Sequence, residues 1–326
     1  MRERDLEQLW DARLWSFFYW EVKLEQVYKQ NKVDLFLDSG AYSAYSQGIS
    51  INLDDYIAFI KENISSLNVY ANLDVIGDPV KTWQNQRLME RAGLNPLPTF
   101  HYGANERWLR KYLDKGYDYI ALGGMVPISN SHLVPWLDEI FEKYICDDKG
   151  MPKFKVHGFG LTSLVLMLRY PWYSVDSTTW IMAGRMGGVY VPFRKNGKWM
   201  YDENSWKIAV SERSPNKSEA GKHISSLTKG EKQLVLDYLE EKGYGPGKSE
   251  FRKESMSYKL QENERWLGKA VDGVREVEKI LEDGVGNRYQ LRDEVNIIYF
   301  IDLEKSIPEW PWSFKRPSSS GLGIMS

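Results

Sequence analysis

Short apolar or aromatic runs alternate with amphipathic stretches over the first two-thirds of the chain. The runs are LWSFFYW (14–20), VDLFL (33–37), NVYANL (68–73), PLPTF (96–100), DYIAL (118–122), KFKV (153–156) and WYSV (172–175). Each has strand character. Between them lie LDDYIAFIKENI, KTWQNQRLMERAG, NERWLRKYLDKG and HLVPWLDEIFEKYI, whose apolar residues recur at three- and four-residue spacing, as in helices lying on a sheet. Gly93 and Gly116 read as helix stops. Strands alternating with helices predict parallel βαβ units. A repeat of roughly 20 to 35 residues predicts an α/β fold, a TIM-type (β/α)8 barrel with uneven loops. No sequence repeat accompanies this rhythm, so it is architecture and not duplication.

The residues at the C-terminal ends of these runs point to chemistry. Asp38 comes after VDLFL, Asp74 after NVYANL and His101 after PLPTF. Gly123 and Gly124 come after DYIAL, His157 and Gly158 after KFKV, and Asp176 after WYSV. In a barrel of this type the C-terminal strand ends converge on one mouth. An Asp after a strand is often a mere turn former, but six such ends with acids, imidazoles or glycine pairs predict a site.

The pattern changes after about residue 193. RKNGKWMYDENSWK reads as a hairpin or insertion, SERSPNKSEAGKH as a polar loop, and GEKQLVLDYLEEKGYGPG as helical. A basic, polar linker (GKSEFRKESMSYK) comes next, then an amphipathic helix near 259–283 and an apolar strand-like run, VNIIYFIDL. The division expected is a barrel core over 1–193, a C-terminal helical and irregular extension over 194–316, and a disordered tail over 317–326. GVYVPF (188–193) and VNIIYFI (295–301) both qualify as the eighth strand, and the choice decides whether the extension closes the barrel.

Composition narrows the class. With 326 residues, 42% hydrophobic and 27% charged, the chain is globular and long enough for one large barrel. A net charge of −2 excludes a uniformly basic nucleic-acid binder but not a local basic face. Residues 194–259 carry 14 Lys and Arg against 10 Asp and Glu, an excess that fits a phosphate-facing surface and an ordinary solvated face equally. The single cysteine, Cys146, sits in an apolar helical run and reads as a core residue; it permits neither an internal disulfide nor a Cys-rich zinc site. No run approaches the roughly 18 apolar residues of a membrane span, and MRERDLEQLW lacks the shape of a signal peptide. The expectation is a cytoplasmic protein with no membrane partner. There is no P-loop and no GxGxxG, so nothing points to a nucleotide-driven or redox step, and no cofactor is expected.

Converging carboxylates suit glycosidic chemistry. An ionised one attacks or shields the anomeric carbon while another gives or takes the leaving group's proton. A nucleoside bond breaks in the same way. The residues alone therefore leave a sugar hydrolase and a base exchanger equally open.

Four segments resemble the queuine-type tRNA-guanine transglycosylases. DSGAYSA (38–44) resembles their Asp-Ser-Gly-Gly-Tyr/Phe-Gln segment, ALGGMVP (121–127) their Val-Gly-Gly-Leu-Ala, and VHGFG (156–160) their Met-Gly-Val-Gly. VDSTTWIMAGRMGG (175–188) is similar to the nucleophile loop, with the spacing from Asp176 to Arg185 and the Gly before that Arg preserved. The four occur in the family's order and cover a little under half of the chain.

The resemblance implies roles. Asp176 is the nucleophile at C1′ and Asp38 the general acid/base on the purine. Asp74 accepts hydrogen bonds from the base, Gly123 and Gly124 admit the base edge, and Tyr42 and His157 lie on its faces. His101 stands where the family has a base-contacting Gln, Ser39 and Gly158 complete the base pocket, and Arg185 binds a neighbouring phosphate. The tRNA enzymes carry a three-Cys, one-His zinc site that this sequence lacks. NVYANLDVIGDP and PTFHYG are more similar to the zinc-free, DNA-directed branch of phages and bacterial DNA-modification clusters. That branch is associated with placing 7-deazaguanine bases, such as 7-cyano-7-deazaguanine (preQ0), in DNA. The resemblance therefore implies DNA and a free 7-deazaguanine base as partners, with tRNA second, and the cytoplasm, a phage's host included, as location. It leaves the oligomeric state open, a homodimer included.

Overall fold

The computed structural model describes residues 12–19, 34–161, 163–203, 205–214, 217, 219–314 and 316. Residues 317–326, read above as a disordered tail, lie outside them. In chain order the elements of the first part are β1 Ala12–Ser16, β2 Asp34–Asp38, α1 Ala41–Ser46, α2 Leu53–Asn63, β3 Val69–Tyr70, α3 Pro79–Arg91, β4 Thr99–His101, α4 Arg107–Asp114, β5 Tyr119–Gly123, α5 Asn130–Ile140, β6 Lys155–Gly158, α6 Leu164–Arg169 and β7 Ser174–Val175. The second part holds α7 Thr179–Arg185, β8 Gly188–Val191, β9 Phe193–Lys195, β10 Lys198–Met200, β11 Trp206–Ala209, α8 Lys229–Glu241, β12 Lys248–Ser255, β13 Glu264–Val271, β14 Val274–Glu282 and α9 Tyr289–Ser306. Backbone contacts divide the chain between Ser177 and Thr178 and again between Ile307 and Pro308, giving two compact units. The sequence rhythm places that boundary later, near 193. Among the described residues no helix is long and apolar enough to cross a membrane.

Among the described strands of the first unit every strand-to-strand pairing is parallel and keeps chain order. β1, β2 and β3 form one run, an isolated parallel bridge from Ala71 to Leu97 carries it on, and β4, β5, β6 and β7 form the next. Strands buried on both faces must be apolar throughout, as Leu35, Leu37, Phe100, Ile120, Ala121 and Leu122 are. The helices pack their apolar stripes on them: Tyr56 and Ile60 of α2 and Met89 of α3 join Leu35 and Leu37 in one cluster. Local signals set the helix ends. The Asn52 side chain caps α2 by accepting from the Asp54 and Asp55 amides. Asp78 caps α3, with Pro79 at its first position. Gly93 and Gly116, the expected stops, have φ of +86° and +76°.

The sheet bends strongly. The Phe36 ring on β2 lies 4.6 Å from the His157 ring on β6. Four strand spacings in a flat sheet amount to about 19 Å, so the run curls until the inner faces of β2 and β6 touch. The last described residues return to this unit, where the Phe314 amide donates to the Gly150 carbonyl and its ring packs on Phe141 and Tyr170.

The second unit is mixed. β8 and β11 pair antiparallel, β9 and β10 form the expected hairpin with its turn at Asn196 and Gly197, and α8 starts on a capping box of Thr228 and Glu231. Three expectations fail here. The stretch 259–283 is not a helix but the β13–β14 hairpin, and the linker before it is β12, which completes an antiparallel sheet in the order β12–β14–β13. Helix-forming Glu, Lys and Leu suggest the wrong period, but Asp272 and Gly273, both at positive φ, make the tight turn that sets a hairpin. Conversely VNIIYFI lies inside α9, which removes it as a strand candidate. Its buried residues Arg292, Val295, Asn296, Tyr299 and Leu303 recur at helical spacing, a period hidden by the continuous β-branched and aromatic run.

Candidate active site

The C-terminal strand ends of the first unit carry the sequence-predicted residues. Asp38 is the last residue of β2, His101 of β4, and Gly123 and Gly158 of β5 and β6; Asp176 comes immediately after β7. Strand order and curvature bring the Asp74 and Asp176 carboxylates within electrostatic reach of Asp38. Burial, then the charges of Asp74 and Asp176, push the Asp38 carboxyl up from the ordinary 3.8 to about 8, against the pull of backbone N–H groups of Gly40 and Ser39. At neutral pH Asp38 keeps its proton. Gly40, whose amide donates to Asp38 Oδ2 at 3.0 Å, is held at φ +78°, and a Cβ there would stand 2.5 Å from Phe18 Cβ and from Ser16 Oγ. Only glycine fits this turn without displacing Ser16 at the end of β1 and Phe18 just beyond it.

Asp74 is fixed from two sides. Ser39 Oγ donates to its Oδ1 at 3.1 Å, and His101 Nε2 lies 2.8 Å from its Oδ2. Ser39 is fully buried and His101 nearly so. The sequence-predicted base-pocket residues Ser39, Asp74 and His101 thus form one hydrogen-bonded cluster. Each Asp74 oxygen retains a lone pair for a further donor.

Asp176 is held by a second network. The Gly160 amide, at φ +64°, donates to its Oδ1 at 2.9 Å. His157 Nε2 stands 3.3 Å from the same oxygen and has no better partner among the described residues. On its other side His157 Nδ1 meets Ser174 Oγ at 2.7 Å, and Ser174 Oγ meets the Tyr119 hydroxyl at 2.6 Å. Burial raises Tyr119 to about 12, which keeps its hydroxyl a donor. The order that leaves no lone pair facing the carboxylate runs Tyr119 O–H to Ser174, Ser174 O–H to His157 Nδ1, and His157 Nε2–H toward Asp176.

His157 therefore departs from the expected role. It is 1% exposed and lies between Phe36 and Phe159, so it presents no ring face to a ligand and instead positions Asp176. Gly158 and Gly123 are close-packing glycines: a Cβ at the first would meet the Trp172 ring at 3.2 Å, and at the second His101 Cδ2 at 2.9 Å. Gly124 is exposed at φ +70°, leaving its backbone open. Tyr42, in the first turn of α1, is half-exposed. Arg185 ends α7 in the second unit and is exposed. Cys146 is a buried free thiol in the core, pushed up to about 12 by burial.

Ser174, Tyr119 and Gly160 escape the sequence reading. Ser174 had a signal: it lies two residues before Asp176 and opposite His157 in the β6–β7 register, and strand periodicity puts such residues on one face. Tyr119 had none, since its partner is 55 residues away.

Compared with known proteins, the chain matches no protein-family model, no curated protein and no solved structure.

Proposed function

We propose that this protein exchanges a purine base in DNA, replacing guanine by a 7-deazaguanine through a covalent ester on Asp176. The observation that carries the reading is the division of labour among the carboxylates. Asp38 keeps a proton at neutral pH because it is buried and faces the Asp74 and Asp176 carboxylates, while Asp176 accepts from the Gly160 amide and lies beside His157 Nε2. Carboxylates whose environments push their protonation apart are an acid and a nucleophile ready for one bond.

In the first half-reaction an Asp176 oxygen attacks C1′, the bond from C1′ to guanine breaks, and the Asp38 proton goes to the departing base. In the second, Asp38 takes the ring N–H proton of the incoming base, whose nitrogen attacks C1′ and expels Asp176. The ester preserves the glycosidic bond energy, so no triphosphate is consumed and the kinetics are ping-pong. The His157 Nε2–H stabilises Asp176 as it leaves. Asp74, held by Ser39 and His101, accepts from the amino and ring N–H groups of the base, with Tyr42 against its face and the Gly124 backbone along its edge. A base in a duplex must first be flipped out, at a few kcal/mol.

The same reading takes the parallel strands as part of a (β/α)8-type barrel. In its favour stand the chain-ordered parallel strands and the contact of Phe36 with His157 across the curve. Cytoplasmic DNA is the proposed partner.

The test is incorporation of labelled guanine and of labelled 7-cyano-7-deazaguanine into DNA and tRNA in parallel. Label in DNA that disappears with Asp176→Asn is expected. Label in tRNA alone overturns the choice of polynucleotide, and free base released without label uptake moves the protein to the hydrolases.

A further inference from the structure

A cavity of about 450 Å³ lies away from the carboxylates, against helices α3 and α4, lined by Val80, Arg107, Trp108, Lys111 and Asp114. Its cations are held on an aromatic shelf. Lys111 Nζ stands 4.7 Å from the ring centres of both Trp83 and Trp108, and the Arg107 guanidinium lies over Trp108 at 5.4 Å. Such contacts fix a cation from one side and leave N–H donors free on the other.

Three neighbouring cations are otherwise engaged. Arg87 pairs with Glu90, Lys143 with Glu106, and Arg110 donates to the Tyr144 hydroxyl. Arg107 and Lys111, the two that line the cavity, have no carboxylate in ion-pair range among the described residues. Between residues 78 and 115 the chain carries seven Lys and Arg against four Asp and Glu, while its net charge is −2. This stretch thus carries a local excess of positive charge that phosphate contact can use.

Placement adds to this. α3 begins five residues after Asp74 and α4 six after His101, so Val80 and Arg107 stand within about 20 Å of those strand ends. Lys111 is one helical turn further down. Asp114, at the other end, repels a second phosphate.

We infer that this cleft binds one nucleotide of a single-stranded DNA segment flanking the base in the mouth. Arg107 and Lys111 take its phosphate, and Val80 and the Trp108 edge its sugar. This rests on the polynucleotide reading above, and it commits to the unpaired strand because the cleft receives a single backbone.

The test is anisotropy of a labelled 12-nucleotide single-stranded DNA at several salt concentrations. Wild type is compared with Arg107→Gln/Lys111→Gln and with a control on the same face, Lys81→Gln/Lys115→Gln. The cavity pair is expected to weaken binding at least about tenfold and to lower the salt slope by about 0.7, the value for one phosphate contact on a single strand. The control is expected to change the slope by less than half as much. Arg107→Lys, which keeps the charge, is expected to retain most of the affinity. Equal slopes for the two pairs overturn the cleft, as does binding only to duplex DNA or RNA. Covalent adduct at Asp176 is read in the same samples. Adduct with no slope difference removes the cleft alone; a slope difference with no adduct removes the exchange reading alone.

Discussion

Replacing Asp38 by Asn should stabilise the protein, and increasingly so as pH rises. The folded carboxyl titrates near 8 instead of 3.8, so between those values the folded state binds more protons than the unfolded one. Stability from this group is then present at low pH and lost as pH climbs. Each pH unit in the window is worth about 1.4 kcal/mol, or about 2.7 kcal/mol from pH 5 to pH 7. Water reaching the half-buried carboxyl screens part of this, which makes about 2 kcal/mol the working figure. Asn keeps the shape and an oxygen for the Gly40 amide but has no proton to lose. Urea unfolding of wild type and Asp38→Asn at pH 5, 6, 7 and 8 gives the difference directly, with the exposed Asp148→Asn as reference. The gap should widen by about 2 kcal/mol between pH 5 and 7 and level off above 8. A gap constant within about 0.5 kcal/mol across that range would refute the protonated Asp38 and, with it, its part as the acid.

Asp74→Asn removes one of the two charges that raise Asp38, so the alkaline limb of kcat/KM should move from about 8 to lower pH; an unmoved limb contradicts the coupling. Ser174→Ala breaks the ordered hydrogen bonds behind His157, and kcat should fall by about 10- to 100-fold with KM within about twofold. A rise in KM alone would make Ser174 a binding residue instead. Gly40→Ala forces a Cβ against Phe18 and Ser16 at positive φ and should cost about 2–3 kcal/mol in urea unfolding; a neutral result would show that this turn yields.

Much of the first unit was legible because parallel strands and amphipathic helices impose different periods on the same chain. VDLFL, DYIAL and PLPTF are short buried runs, and Asn52, Asp78, Gly93 and Gly116 punctuate the helices between them. The second unit was less so. Over 264–282 composition favours a helix and only the Asp272–Gly273 turn argues otherwise, while 295–301 shows its helical period only through Arg292 and Leu303 on either side. At the candidate site, strand-end position singled out Asp38, Asp74, His101 and Asp176, and the fold places them at or shortly after strand ends. It could not reveal that His157 is walled in by Phe36 and Phe159, because that depends on the curvature of the sheet and not on β6 itself.

The most direct measurement of the central claim is a covalent trap. Labelled DNA oligonucleotide containing guanine is mixed with the protein, quenched in denaturant, and resolved on a denaturing gel, with released base quantified alongside. The account predicts a DNA–protein ester formed with one equivalent of free guanine, mapped by peptide mass to Asp176 and absent from Asp176→Asn. Guanine released catalytically with no adduct, or an adduct that persists in Asp176→Asn, would contradict it.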